Sequence, residues 1–534
     1  MKENINFDNP QYNSCTSKGI CSVNPRTSAL QNVLGLYLQL CIKYCAKLDK
    51  KNALKKDIKE FILNTISVSV SNPEFTEVCF MEAISKFKEI LPELIASYNE
   101  LYQKNDFEGE NILLSDIFKK CENIVDAIKF GEKIFQTKVS KIPEETRNIF
   151  KILLIIAKSI SINLLDFESY ENNEKYYNNT FKVITFILNS INVKNFNLEK
   201  LKKVAYKCAS CNTKLMEMLH CKQEERYGKQ RIVKISYTTT PSKAVLAVGS
   251  NIRELETILE ALKKENIDVY THDDMMVAHT FPKFGLYKNL KGQYGHGLEN
   301  CLIDFATFPG PIILTKHSQH NVENLYRGRL FTTDTNFYKG IIKIKDDNYQ
   351  EVIDSANNAK GFKKGKICET VTVGYDYEKS IELISKKLDT NLYKKIVVIG
   401  IKDYFPAQKD YFEKLIKLIS DKILIISFSY NFEKDNLLYF NACFDSFAVV
   451  RIVSFLLNFG IPLEIFLPKC GRNTISEMIH FGKQKKCNVY ISECEPIMIN
   501  PSIMNILQDI FNIKMISSAK QDSEIVNKLS TERN

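Results

Sequence analysis

The chain has 534 residues, 44% of them apolar and 25% charged, a length beyond one ordinary core and a balance that excludes an intrinsically disordered protein. Lys and Arg number 73 against 63 Asp and Glu, a formal charge of +10, but the cations are scattered along the chain, which argues against the basic stripe of a nucleic-acid binder. Its 15 cysteines follow a polar start, "MKENINFDNPQYN", that lacks the apolar core of a signal peptide, so a reducing, cytoplasmic setting is expected, with an organelle left open. There the thiols serve as buried apolar groups, metal ligands or reactive groups rather than disulfides.

In chain order, residues 13–22, "NSCTSKGICS", set Cys15 and Cys21 in a glycine-containing loop. Ser28 with Gln31 three residues on fits a capping box and predicts a helix from that point, with Leu30, Val33, Leu34, Tyr37, Cys41 and Leu48 on one face. Further helices are predicted over 54–69, 77–103, 112–137, 145–166, 180–192 and 198–220, separated by polar loops such as "ESYENNEKYYNN". The most apolar run, 149–167, carries Lys151 and Lys158 and reads as a buried helix rather than a membrane span. Residues 1–228 are therefore expected to be an all-helical domain of one or two bundles.

After "EERYGKQR" the period changes. Short apolar runs, "KAVLAVGS", "IDVYTH" and "GPIILT", then "KKIVVIG", "DKILIISFS", "LEIFLP", "CNVYIS" and "NIKMIS", alternate with amphipathic segments, which predicts parallel sheets with crossover helices. The fold class expected is multidomain α and α/β, with the helical domain followed by two Rossmann-like parallel-sheet domains at 229–385 and 386–534. In such sheets ligands gather where strands end, so the residues just after "VLAVG", "DVYT", "PIILT", "VVIG" and "ILIISF" are where chemistry is to be sought.

At those strand ends the sequence resembles the hybrid-cluster (prismane, hydroxylamine reductase) proteins, relatives of carbon monoxide dehydrogenase. "VYTHDDMMVAHTFPKF" is similar to the family's Val-Tyr-Thr-His-Gly-Glu-Met stretch, and "LKGQYGHGLEN", "FATFPGPIILT", "YRGRLFTTD", "GFKKGK", "VVIGIKD", "NACFDSFAVVRI" and "FNIKMIS" follow in the family's order. "SCTSKGICSVNPRTSALQNVL" resembles the family's second N-terminal cysteine pair. The resemblance implies the prismane-like fold, a four-cysteine cubane cluster near the N-terminus, and a mixed iron–sulfur–oxygen cluster held by cysteines, a histidine and two glutamates. It also implies reduction of hydroxylamine or nitric oxide.

Carried over position by position, those ligands are mostly replaced. Cys15 and Cys21 match the second pair, while "MKENIN" stands where the first Cys-x-x-Cys is expected. Ser250 replaces the histidine, Asp274 the first glutamate, Ser318 a cysteine, Lys402 the persulfide-bearing cysteine and Ser429 the next cysteine. Cys443 is kept, and Gly471 and Asn473 fall on the second glutamate and a lysine. A serine hydroxyl does not ionise near neutral pH as a thiol does, and an ammonium adds positive charge beside iron. The residual metal positions are thus Cys15, Cys21, Asp274 and Cys443.

Three other groupings carry weaker signals. His272, His317 and His320 join Asp274 and Cys443 as donors for a replacement zinc or iron. Cys208 and Cys211, with His220 and Cys221, have zinc-like ingredients but lie on what reads as one continuous helix, where buried cysteines are the expectation. "AVGSNIREL" has a glycine before a helix but no glycine-rich phosphate fingerprint.

The expected function is that of a degenerate hybrid-cluster-protein homologue, an inactive relative of hydroxylamine reductase without the mixed cluster, acting as a non-catalytic scaffold or binding protein with no cofactor. The alternative is an atypical iron-dependent oxidoreductase with a simplified cluster or mononuclear iron or zinc. The partner expected is another protein or a second copy of the chain, with no nucleic acid and no membrane span.

Overall fold

The structure, a computed structural model of the chain, describes residues 25–70, 77–103, 114–139, 141–191, 197–295, 300–318, 325–334, 340–401, 406–442, 445–469, 471–491, 501–516 and 519–530. The chain forms two compact units: one is the helical part up to Leu215 together with most of the helix Pro501–Phe511, and the other begins at Met216 and contains both large sheets.

In the first unit the helices are Pro25–Asp49, Lys56–Ser69, Glu77–Tyr102, Ile124–Ile134, Glu144–Glu168, Glu174–Ile191 and the first part of Leu198–Tyr227. The first begins at Pro25, whose fixed φ suits an opening helical position, so Ser28 lies within the helix and is not its cap. The single helix predicted over 112–137 is instead broken. A short helix at 114–119 ends in a turn, and Asn123 restarts the chain by accepting hydrogen bonds from the backbone N–H groups of Val125 and Asp126, both at 3.0 Å. A five-residue π turn, Phe135–Val139, closes the segment. Gly131 lets this helix press against the first: a Cβ there would lie 2.0 Å from the Ala29 carbonyl oxygen. Glu144–Glu168 is long and apolar enough to cross a membrane, and 78% of its most apolar window is buried.

In the second unit two strands, β1 (Val233–Ser236) and β8 (Thr370–Val373), pair antiparallel. The first large sheet uses β2 (Lys243–Val248), β3 (Ile267–His272), β4 (Leu290–Gln293), β5 (Ile312–Leu314), β6 (Leu330–Thr332) and β7 (Ile342–Lys343) in the order β4-β3-β2-β5-β6-β7. The second uses β9 (Lys395–Ile399), β10 (Ile423–Ser427), β11 (Leu437–Tyr439), β12 (Leu463–Leu467), β13 (Cys487–Ile491) and β14 (Ile513–Met515) in the order β11-β10-β9-β12-β13-β14. Every pairing in both is parallel. Counted within each sheet, both read 3-2-1-4-5-6, the doubly wound Rossmann arrangement, with its topological switch between β2 and β5 in one and between β9 and β12 in the other.

The central strands earn their place by composition. Every residue of β9, β10 and β12 is buried, as expected for Ile- and Val-rich runs covered by helices on both faces. A carboxylate lies inside that core: Glu464 of β12 is 2% exposed and is satisfied by Lys528 Nζ at 2.6 Å and by the Tyr490 hydroxyl at 2.8 Å, which pins the helix Ala519–Ser530 to the sheet.

Candidate functional site

The carboxyl ends of these strands carry the positions singled out above. In the first sheet, β2 runs into Gly249 and Ser250, β3 into Asp273 and Asp274, and β5 into Thr315 to Ser318. The backbone takes the left-handed region at Gly249 (φ 121°), Asp273 (φ 58°) and His317 (φ 63°), one residue at each of three neighbouring strand ends. Asp273 stands where the resembled stretch has glycine and keeps a glycine-like conformation, at a cost of roughly 1 kcal/mol for a residue with a Cβ.

Gly249 is required by crowding as well as by φ: a Cβ would lie 2.2 Å from Ser318 Oγ and 2.4 Å from Thr315 Oγ1. Both hydroxyls turn back onto the sheet, Thr315 Oγ1 donating to the Val248 carbonyl at 2.9 Å and Ser318 Oγ donating to the same oxygen at 3.2 Å. Ser250 itself is exposed. In the second sheet Ser429, just beyond β10, does the same as Ser318: its Oγ donates to the Gly400 carbonyl at 2.7 Å. Gly471 is exposed, and its N–H donates to Thr474 Oγ1 at 2.8 Å.

Asp274 meets a partner that the sequence did not suggest. Its carboxylate forms an ion pair with the ammonium of Lys469, which lies beyond β12 of the other sheet. The two side chains are 33% and 20% exposed, so the pair is screened from most but not all solvent. Burial is the largest influence on the Asp274 carboxyl and pushes its pKa up, while Lys469 and then Arg472 act to lower it and Asp273 adds to the rise. The Lys469 backbone is itself fixed, with its N–H donating to the Ile401 carbonyl at 3.0 Å and its carbonyl accepting from Thr474 Oγ1 at 3.3 Å.

Two of the histidines have partners of their own. His272, fully buried, places Nε2 3.0 Å from Asp304 Oδ2 and stacks edge-on against Phe305. His317 is held through its backbone, its N–H donating to Asp334 Oδ2 at 2.8 Å. Among the described residues no three His, Cys, Asp or Glu side chains come together as a metal-binding group. Cys15, Cys21, His320, Lys402 and Cys443 lie outside the described residues.

The remaining groupings resolve into structural roles. Cys208 is fully buried in the continuous helix Leu198–Tyr227, and burial pushes its thiol up to about 12. That helix runs beyond the predicted end at residue 220, and His220 on it is buried with Nε2 3.5 Å from Glu224 Oε1. Glu224 also meets Arg451 Nη1 at 3.2 Å; burial opposes its charge, but His220 and Arg451 override that and hold the carboxyl at about 2. At "AVGSNIREL", Asn251 caps the helix Ile252–Leu262 through the Glu254 N–H at 3.1 Å. The Glu254 carboxylate then accepts from the Lys316 N–H at 2.9 Å and from Thr333 Oγ1 at 2.5 Å, so the chain supplies its own anion beside that helix start.

One titratable group here has no counterpart in the sequence reading. Glu477, in the first turn of the helix Thr474–Gly482, is 4% exposed, its Oε1 has no hydrogen-bond partner, and burial pushes its carboxyl up to about 8.

An iron–sulfur–oxygen centre requires several anionic soft donors converging on one space. The described strand ends present hydroxyls at Ser250, Ser318 and Ser429, no side chain at Gly471, and at Asp274 a carboxylate bonded to an ammonium. This donor set does not fit such a centre.

Comparison with known proteins reaches nearly the whole chain. Residues 9–442 match the family described as Prismane/CO dehydrogenase. A hydroxylamine reductase of Thermodesulfovibrio yellowstonii is 26% identical over 545 residues, covering 96% of this chain and 97% of that protein. Another, of Methanocella arvoryzae, is 23% identical over 538 residues, covering 96% and 97%. Among solved structures, the alpha subunit of acetyl-CoA synthase/carbon monoxide dehydrogenase, with NiZn[Fe4S4] and NiNi[Fe4S4] clusters, aligns with a TM-score of 0.45 and 11% identity, over 96% of this chain and 84% of that one.

Proposed function

This chain belongs to the Prismane/CO dehydrogenase family, and from that premise we propose that it is a degenerate member, one that does not assemble the mixed iron–sulfur–oxygen cluster and works as a non-catalytic scaffold or binding protein. The observation that carries the proposal is the engagement of the strand-end side chains with the protein itself. Ser318 and Ser429 donate to the backbone carbonyls of Val248 and Gly400, and Asp274 is bonded to Lys469. A hydroxyl bonded to its own sheet and a carboxylate neutralised by a lysine are poor iron ligands, because each would have to break an existing bond and, for serine, lose a proton it holds firmly at neutral pH.

Loss of the redox centre removes the family's route for delivering the electrons that hydroxylamine reduction consumes. What persists is a pair of doubly wound sheets with fully buried central strands, and the scaffold or binding role rests on that retained fold. The test is an anaerobic activity assay. After reconstitution with iron and sulfide, hydroxylamine turnover is expected to equal that of the same buffer without protein. Turnover that depends on the protein and falls in Asp274→Ala would overturn the proposal in favour of an iron-dependent oxidoreductase with a replacement site.

A further inference from the structure

Two loops from different sheets meet at Asp274 and Lys469, separated by 195 positions in sequence. Asp274 follows the end of β3, and Lys469 follows the end of β12. In the family resemblance these same two strand ends deliver glutamates to one metal centre, so there the cluster ties one sheet to the other. Here the donors do not fit a cluster, yet the two ends are still tied. We infer that the Asp274–Lys469 ion pair is an electrostatic latch that closes the first sheet onto the second in place of a metal centre, an inference that rests on the reading of the chain as lacking the mixed cluster.

Each half of the latch is braced from its own side. Lys469 is held to the segment just beyond β9 by its N–H bond to Ile401, and Thr474 Oγ1 accepts from the Gly471 N–H at 2.8 Å. Asp274 leaves β3 through the left-handed residue Asp273, which turns the chain sharply at the strand end. Arg472 lies within electrostatic reach as a second cation on the Lys469 side. The pair is therefore anchored by backbone bonds on the Lys469 side and by a sharp turn off β3 on the Asp274 side.

Two other links, one through Gln230 from the segment after β3 to that after β11 and one from the two-stranded sheet to the segment after β11, bear on what the latch adds. Gln230 Nε2 donates to Thr280 Oγ1 at 3.0 Å and to Asp445 Oδ2 at 2.8 Å, and the Gly374 N–H donates to the Asn441 carbonyl at 2.6 Å. These are neutral or buried contacts. The Asp274–Lys469 contact is an ion pair with partly exposed side chains, so solvent ions can reach it.

Amide hydrogen exchange on the full chain, at one pH, tests the latch through residues 274–280 and 471–476. Asp274→Asn and Lys469→Met are each expected to speed exchange in both loops together, by about fivefold to tenfold, with the double variant no faster than either single. Exchange in β2 and β9 is expected to stay unchanged. The combined reversal of Asp274→Lys with Lys469→Asp is expected to restore protection. Effects confined to the substituted loop, or single effects that multiply in the double variant, would overturn the latch. Should a variant fail to fold, raising NaCl to about 1 M on the unaltered chain asks the same question by screening, and no joint change in the two loops would overturn it. Iron content measured on the same samples separates the two readings: iron-free protein with uncoupled loops removes the latch alone, whereas iron-loaded protein removes the cluster-free reading beneath it.

Discussion

Asp49→Ala is expected to cost the helical unit about 3–5 kcal/mol of stability, the largest single-residue effect foreseen in this chain. Asp49 ends the helix Pro25–Asp49, where the helix dipole disfavours a negative charge, and it is almost fully buried at 3% exposure. It is kept there by Lys59, whose Nζ lies 2.5 Å from Asp49 Oδ1 and 2.6 Å from Asn178 Oδ1, and 5.5 Å from the Phe181 ring centroid. Three helices meet on that one ammonium. Removing the carboxylate leaves a buried charge with only an amide and a ring to stabilise it, which is why one partner costs far more than the pair. The same reasoning predicts that adding Lys59→Met to Asp49→Ala returns stability to within about 1–2 kcal/mol of the parent, since an apolar side chain of similar length needs no counter-charge. Urea denaturation of the three proteins checks both steps. A double variant no more stable than Asp49→Ala would contradict them.

Glu477 predicts a stability that falls as pH rises. Its carboxyl titrates at about 8 in the folded chain against an ordinary 4.5, so between those values the folded state holds a proton that the unfolded state has released. The full stability is present below about pH 4.5 and is lost progressively up to about pH 8, at up to about 1.4 kcal/mol per pH unit. By pH 7 the penalty is on the order of 3 kcal/mol, a large share of the stability of an ordinary domain. Glu477→Gln keeps the shape and cannot ionise, so it is expected to match the parent near pH 4.5 and to exceed it increasingly towards pH 8. Denaturant midpoints of the sheet-containing unit at pH 5, 6, 7 and 8 check this. An advantage for the glutamine variant that is the same at every pH would show that packing, not ionisation, sets the difference.

Both sheets were legible because their central strands are read by composition alone. "KIVVI", "ILIIS" and "LEIFL" each hold four apolar residues out of five, bounded by turn residues, and they became β9, β10 and β12. The strands that escaped notice, β1, β4, β6, β7, β8 and β11, are short, with two to four residues each. Such strands are defined by the backbone bonds a neighbour offers, and no local pattern announces them. The helix errors have similar causes. The break at Asn123 is a capping event inside an unbroken apolar period, and the start at Pro25 is set by a fixed φ that outweighs the Ser28 signal.

The candidate site was legible in position and not in connectivity. The strand-end rule pointed to the segments holding Ser250, Asp274, Ser318 and Ser429, and the family resemblance named those positions and Gly471, but the bond from Asp274 to Lys469 joins residues from separate sheets and depends on how those sheets meet. His272 was grouped with Asp274 for its chemistry, whereas the structure gives it to Asp304, from a helix whose contact with β3 has no sequence signature. Glu477 was passed over because a glutamate in a first helical turn is ordinarily a solvated, dipole-matched residue. Its helix is buried on nearly every side, with Thr474, Ile475, Ser476, Met478, Ile479 and Phe481 buried as well.

The most direct measurement of the central claim is iron per chain in protein purified anaerobically and reconstituted with excess iron and sulfide, then desalted. The cluster-free reading predicts colourless protein with iron at the level of a reconstituted control that binds none. Brown protein retaining several irons per chain, with visible absorption that bleaches on reduction, would contradict it.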